Sequence, residues 1–359
     1  MDLTKYLCTE IKEIRVQGRI STRKTKGIPL FWTGSAIEFN ITGSEIWLEY
    51  TCEHNSGPSF ARVEIDGFDM YRFMLEDGTH KICIMKGFGK DDIKNVRIFR
   101  ETQASSTVIT MDALYTDGEF KPLPERKYKV EVFGDSVTSG EGLAGAVCLK
   151  HWIPAVFSCR GNYALLVANA FNADWSIVSQ SGWGVFTDWR NNRNNAIPRY
   201  YDYVCGQIKH ESQVALGSQD IFDIENDKTN ITIINLGGND NSAFGGGEPW
   251  IDENGVPHKM KRPDDLHLIV EAVYNFCSNI RRRNKNTLIL WCHNMLTDGL
   301  DPQIIQGVEK YIADSGDDKV FTVCIPRANE SMKGSRNHPG APAHRLYANA
   351  IIEKLKEIL

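Results

Sequence analysis

Over residues 13 to about 115 apolar and polar positions trade places with a period of two. In AIEFNITGSEIWLEY the residues Ile37, Phe39 and Ile41 alternate with polar neighbours, followed by Ile46, Leu48 and Tyr50. Alternation of this kind marks strands with one buried face. Turn-forming sequences punctuate it at Thr42-Gly43-Ser44, Asp66-Gly67, Asp77-Gly78 and 87–89, spaced as hairpin or loop connections. The pattern predicts an antiparallel β-sandwich of roughly eight to ten short strands, placed at residues 1–120.

At KPLPERKYKVEVFGDS the pattern changes. Two prolines and several charges read as a linker over 121–128, and a run of β-formers at 130–133 opens a second domain, 129–359. Further short apolar strands are expected at 175–179, 231–236, 287–292 and 320–325. Helices are expected at 161–171, 197–208, 263–283, 302–313 and 343–358. Strands separated by helices predict a parallel five-stranded sheet covered on both faces, because right-handed crossovers place the helices there. The fold class is therefore α/β plus all-β, with ligands expected at the carboxyl ends of the parallel strands.

Composition narrows the function. A chain of 359 residues with 42% hydrophobic and 24% charged content and a net charge of -5 is an ordinary globular protein. It has no broad basic field, so nucleic acid is not an expected partner. No segment approaches the roughly 18 apolar residues of a membrane span, and the opening MDLTKYLCTEIKEIRVQGR lacks a signal-peptide core. Nine cysteines without CxxC pairs fit reduced thiols, so no membrane association and a cytoplasmic location are expected.

The candidate chemistry lies at the strand ends. Ser136, in FGDSVTSG, follows the first strand of the second domain. It is a candidate nucleophile, though Asp135 or Ser136 could equally cap a helix. The flanks are not a GxSxG elbow, since Thr138 stands where the second glycine would be. The next strand ends in VSQSGWG and the third in NLGGND. The N–H groups of Ser136 and Gly182 and the side-chain amide of Asn239 could converge on one oxygen as an oxyanion hole. The loop SRNHPGAPAH supplies two histidines: His338, held in the loop by Pro339 and Pro342, is the preferred candidate base, while His344, one turn into the last helix, could as well be a solvated first-turn residue.

A GDS near the start of an α/β domain, a Gly after the second strand, GxND after the third and HP before the last helix together resemble the four blocks of the SGNH (GDSL-like) hydrolase superfamily. The resemblance implies Ser136 as nucleophile, Gly182 and Asn239 as oxyanion donors and His338 as base. With QGR at 17–19, FWTGSAIEF at 31–39 and VEIDG at 63–67, the first domain is similar to the jelly-roll of carbohydrate esterase family two. That family removes O-acetyl groups from plant polysaccharides and their oligosaccharides. Most superfamily members carry an Asp three residues before the histidine, where this chain has Ser335. Family two works with a Ser-His dyad whose histidine is oriented by a backbone carbonyl, so the departure points towards it. Asp314, Asp317 and Asp318 read instead as an ordinary surface turn.

The resemblance implies a carbohydrate O-acetyl esterase acting through a serine acetyl-enzyme, requiring no metal or cofactor. Its expected partner is an acetylated xylo-, manno- or gluco-oligosaccharide. Trp183, Trp189 and Trp250 are candidates for stacking on sugar rings, Trp250 foremost because it sits in the polar loop 241–261. Two readings compete: a short-chain lipid or thioester hydrolase using the same residues, and a non-catalytic carbohydrate-binding protein.

Overall fold

The computed structural model describes residues 3–54, 57–103, 107–261 and 264–359. They form two compact units.

The first unit holds two antiparallel sheets. One contains Thr4–Leu7, Ile28–Pro29, Glu45–His54, Gly78–Lys86 and Thr107–Thr116; the other contains Arg15–Gln17, Ala36–Ile41, Ser59–Ile65, Phe68–Leu75, Lys94–Arg100 and Phe120–Lys121. These eleven strands exceed the eight to ten expected because the two- and three-residue pieces are too short to show any alternation. The residues that alternate in the sequence meet in one core: Ile37, Phe39 and Ile41 from one sheet and Ile46, Leu48 and Tyr50 from the other are all buried. Each such side chain contributes about 1.5–3 kcal/mol by leaving water.

The unit is not contiguous in sequence. It comprises Met1–Glu125 together with Ile153–Ala155 and Tyr203–Phe222. The last segment supplies carbonyls to buried donors: Trp32 Nε1 donates to Val204 O at 2.8 Å and Arg19 Nη1 to Tyr203 O at 2.8 Å. Arg23 forms a two-pronged pair with Asp220, from Nε at 2.7 Å and Nη2 at 2.5 Å. The helix expected at 197–208 is thus a correction. Only a 3₁₀ turn, Ile197–Tyr200, forms there, with Pro198 at its start. Val204, Cys205 and Ile208 then bury as irregular chain, and Gly206 takes a positive φ of 77° that ends any helical path.

The second unit is Arg126–Trp152, Val156–Asp202 and Asp223–Leu359. Its parallel strands are β1 (Lys129–Gly134), β2 (Asp174–Ser179), β3 (Ile231–Asn235), β4 (Leu288–His293) and β5 (Val320–Cys324), in the order β2-β1-β3-β4-β5. Its helices are α1 (Tyr163–Ala170), α2 (Gly238–Gly246), α3 (His267–Arg283), α4 (Asp301–Ser315) and α5 (Ala341–Ile358). Helices α1 and α5 pack together, as do α3 and α4. Right-handed crossovers through this strand order place the two pairs on opposite faces of the sheet. Every residue of β3 is therefore buried.

Helix α1 starts at Asn162, whose side chain accepts from Ala164 N at 2.9 Å. Pro263, where the third helix was expected to begin, lies outside the described residues. Helix α2 and a two-stranded ribbon, Trp250–Ile251 with Pro257–His258, replace most of the loop expected at 241–261. The sequence of α2, GNDNSAFGG, has little helix propensity, so its fold comes from its surroundings. All nine cysteines are free thiols. No helix among the described residues is long and apolar enough to cross a membrane.

Candidate active site

Strand β1 runs between β2 and β3 and ends at Gly134. After it the chain folds into successive tight turns rather than a helix. Asp135 Oδ1 accepts from Val137 N at 3.0 Å, Ser139 N donates to Asp135 O at 2.9 Å and Glu141 N to Ser136 O at 2.9 Å. The capping alternative for Ser136 therefore does not apply: no helix follows it. Ser136 is nearly buried, and its Oγ lies 3.0 Å from His338 Nε2.

His338 arrives on the loop before α5. Two residues in front of it, Arg336 and Asn337, both occupy the left-handed region, with φ of 57° and 59°. Non-glycine residues rarely do so, and strain of this kind persists only where the surroundings over-determine it. Here a neighbouring loop braces the turn: Arg336 N donates to Leu149 O at 2.7 Å, Arg336 Nη1 to Lys150 O at 2.9 Å and Ser335 Oγ to Ala144 O at 2.7 Å. The result aims the Arg336 carbonyl at the imidazole, 3.2 Å from His338 Nδ1. Gly142 lets this loop pass the histidine, since a Cβ there would stand 2.6 Å from His338 Cβ.

A carboxylate also faces the imidazole. Glu141, whose side chain is 1% exposed, has Oε1 at 3.7 Å from His338 Nδ1. The same oxygen accepts from Arg336 Nε at 2.5 Å, and Oε2 accepts from Ser181 Oγ at 2.5 Å. Sequence reasoning missed Glu141, although it stands only five residues after Ser136.

Gly182 follows β2 with a φ of 84°, and Trp189 packs where its side chain would be, 2.8 Å from an ideal Cβ. Among the described residues, the N–H groups of Ser136 and Gly182 donate to no protein acceptor. Asn239, in the first turn of α2, donates from Nδ2 to Trp183 O at 3.0 Å and to Asp135 Oδ2 at 3.2 Å. Both of its amide hydrogens are thus engaged. Its neighbour Asp240 is fully buried and accepts from the N–H groups of Val185, Phe186 and Thr187 at 2.9, 2.8 and 3.0 Å, clamping the loop after β2. Burial pushes the Asp240 carboxyl above its usual range against these bonds.

Burial also raises Asp135, to about 7, with Asp240 and Glu141 adding to the effect. His344 is a correction: it is wholly buried rather than solvated. Its Nδ1 accepts from Tyr163 N at 3.1 Å, and its ring lies over Tyr163 at 6.0 Å between centroids. Burial lowers it to about 3, so it stays neutral.

The three tryptophans differ. Trp189 is 53% exposed, with Arg190 over its ring at 4.5 Å. Trp183 lies against Tyr200 at 4.8 Å. Trp250 is not on an open loop: it belongs to the small ribbon and stacks on His258 at 4.0 Å, with its edge to Phe186. Asp314 pairs with Lys310 and Asp317 with Arg281, away from the histidine loop.

Known proteins resemble this chain in sequence and fold. A family model described as carbohydrate esterase 2 N-terminal matches residues 16–125. An acetyl xylan esterase, Est2A, from the rumen bacterium Butyrivibrio proteoclasticus superposes with a TM-score of 0.95 at 33% identity, covering 99% of this chain and 98% of that one. An acetylxylan esterase / glucomannan deacetylase of Cellvibrio japonicus is 25% identical over 73% of this chain and 69% of its own length. The cellulase/esterase CelE of Acetivibrio thermocellus is 23% identical over 96% of this chain, which spans 39% of that protein's length. A third of the residues are shared with Est2A along nearly the whole of both chains, and the first sheet pair matches the family's own model. The chain therefore belongs to carbohydrate esterase family two and is a carboxylic-ester hydrolase with an SGNH-like fold.

Proposed function

We propose that this esterase removes O-acetyl groups from plant-derived xylo-, manno- or gluco-oligosaccharides through an acetyl-enzyme on Ser136. The observation that carries the reading is the 3.0 Å contact between Ser136 Oγ and His338 Nε2, with Nδ1 facing a backbone carbonyl. A carbonyl accepts only from a protonated Nδ1, so Nε2 is left free to take the serine proton.

Ser136 Oγ attacks the acetyl carbonyl carbon as its proton passes to Nε2. The oxyanion meets the free N–H groups of Ser136 and Gly182, and Asn239 joins them by sharing the hydrogen of its longer bond to Asp135. The imidazolium returns its proton to the departing sugar oxygen. Water, deprotonated by His338, then attacks the acetyl carbon, and as the bond to Ser136 Oγ breaks the imidazolium returns its proton to that oxygen, releasing acetate and restoring Ser136. Trp189 is the most open of the three tryptophans and packs on Gly182, which supports giving it the role of stacking on a sugar ring. The Butyrivibrio and Cellvibrio relatives, an acetyl xylan esterase and an acetylxylan esterase / glucomannan deacetylase, support an acetylated plant oligosaccharide as substrate.

Acetate release from acetylated oligosaccharides and from 4-nitrophenyl acetate tests the reading. Ser136→Ala and His338→Ala are expected to lower kcat by about a thousandfold or more. Ser335→Ala removes a bond to Ala144 rather than to the imidazole and is expected to change kcat by less than about threefold. Turnover that survives Ser136→Ala would sink the mechanism, and a preference for long acyl chains would move the substrate to lipids.

A further inference from the structure

The Arg336 carbonyl can fix the tautomer of His338 but carries no net charge, and an imidazolium forms in each half of the proposed reaction. A carboxylate with 1% exposure 3.7 Å from Nδ1 is the nearest source of compensating charge. Resting on the Ser136–His338 reading, we propose that Glu141 is a positioning residue that stabilises the charged form of His338, and that Arg336 sets how much of that charge the imidazole feels.

The geometry supports both parts. Burying a carboxylate is costly unless it is paired, and Glu141 has two partners, Arg336 Nε and Ser181 Oγ. Neither takes it out of reach of the histidine: the oxygen that meets Arg336 is also the one that faces Nδ1. The backbone of Glu141 is tied to the nucleophile, its N–H donating to Ser136 O at 2.9 Å. One residue therefore links the nucleophile turn to the histidine loop. Its Arg336 bond also helps to hold the left-handed turn that aims the carbonyl.

The charge role and a bracing role part company in the pH dependence of kcat/KM, whose acid limb reports protonation of the base. With Glu141→Gln the imidazolium loses its counter-charge, so the acid limb is expected to move to lower pH by about half a unit or more. For the same variant kcat is expected to fall about tenfold to a hundredfold, with KM for 4-nitrophenyl acetate within about twofold. Arg336→Gln leaves the carboxylate uncompensated, so its limb is expected to move the opposite way, to higher pH. Glu141→Asp keeps the charge and is expected to recover part of kcat, which also serves if the Gln variant does not fold. The other groups around the imidazole, His344 on α5, Asp135 beside the nucleophile and Lys150 bonded to Asn337, are unchanged in these variants.

Limbs that move together or stay in place would overturn the proposal, because bracing alone gives no opposite signs. Ser136→Ala and His338→Ala, run alongside, separate the two readings. If they retain activity, the dyad itself is wrong. If they are inactive while Glu141→Gln keeps kcat and its limb, only the role of Glu141 falls.

Discussion

At the scale of single residues, two buried groups beside the site titrate abnormally in opposite senses. Asp135, raised to about 7, holds a proton in the fold that the unfolded chain releases near 4, so its contribution to stability falls as pH rises between those values. His344, lowered to about 3, stays neutral in the fold while the unfolded chain binds a proton below about 6.5, so its contribution rises with pH from about 3 to 6.5. Each slope is about 1.4 kcal/mol per pH unit inside its window. Between about 4 and 6.5 the two oppose each other. Asp135→Asn is therefore expected to make stability climb with pH there, and His344→Asn to make it decline. Urea midpoints measured across that range check this, and profiles displaced in the same direction by both variants would refute it.

At the scale of elements, the four strand-end segments were legible because each ends a short apolar strand, and parallel topology sends all those ends to one edge. Ser335 was legible as a departure, but the answer to it was not. The Arg336 carbonyl depends on two left-handed residues, of which Arg336 itself is of a type that does not favour that conformation, and Glu141 meets residues about 40 and 195 positions away. No local pattern encodes such meetings. Asp240 was invisible for the same reason: its sequence neighbours belong to α2, while its three hydrogen bonds serve the loop after β2. Replacing it with Ala strands three buried N–H groups, at about 1–3 kcal/mol each before any relaxation. The expected outcome is a marked loss of thermal stability and faster hydrogen exchange at 185–187, with the core strands of the sheet protected as before. Unchanged exchange at those amides would argue against the clamp.

At the scale of the whole molecule, the helix expected at 197–208 failed for a reason the sequence does not state. Its apolar residues are spaced well enough for a helix, yet Val204, Cys205 and Ile208 find burial as irregular chain in the other unit's fold. Tertiary packing overrode local periodicity. A fragment of residues 1–125 is consequently expected to be much less stable than the same unit in the full chain. It would leave Trp32 Nε1 and Arg19 without their carbonyl partners. Denaturation followed by Trp32 fluorescence in single-tryptophan versions of fragment and full chain compares them directly.

That shared segment also imposes an order of events during synthesis. Trp32 Nε1 and Arg19 Nη1 cannot meet their carbonyl acceptors until Tyr203–Phe222 has left the ribosome, about a hundred residues after the sandwich's last strand. At about 5–20 residues per second this leaves those two donors without their acceptors for roughly 5 to 20 s. The same interleaving means that the sandwich is not a cassette that can be cut out and fused elsewhere, because its boundary is drawn through the middle of its neighbour's sequence.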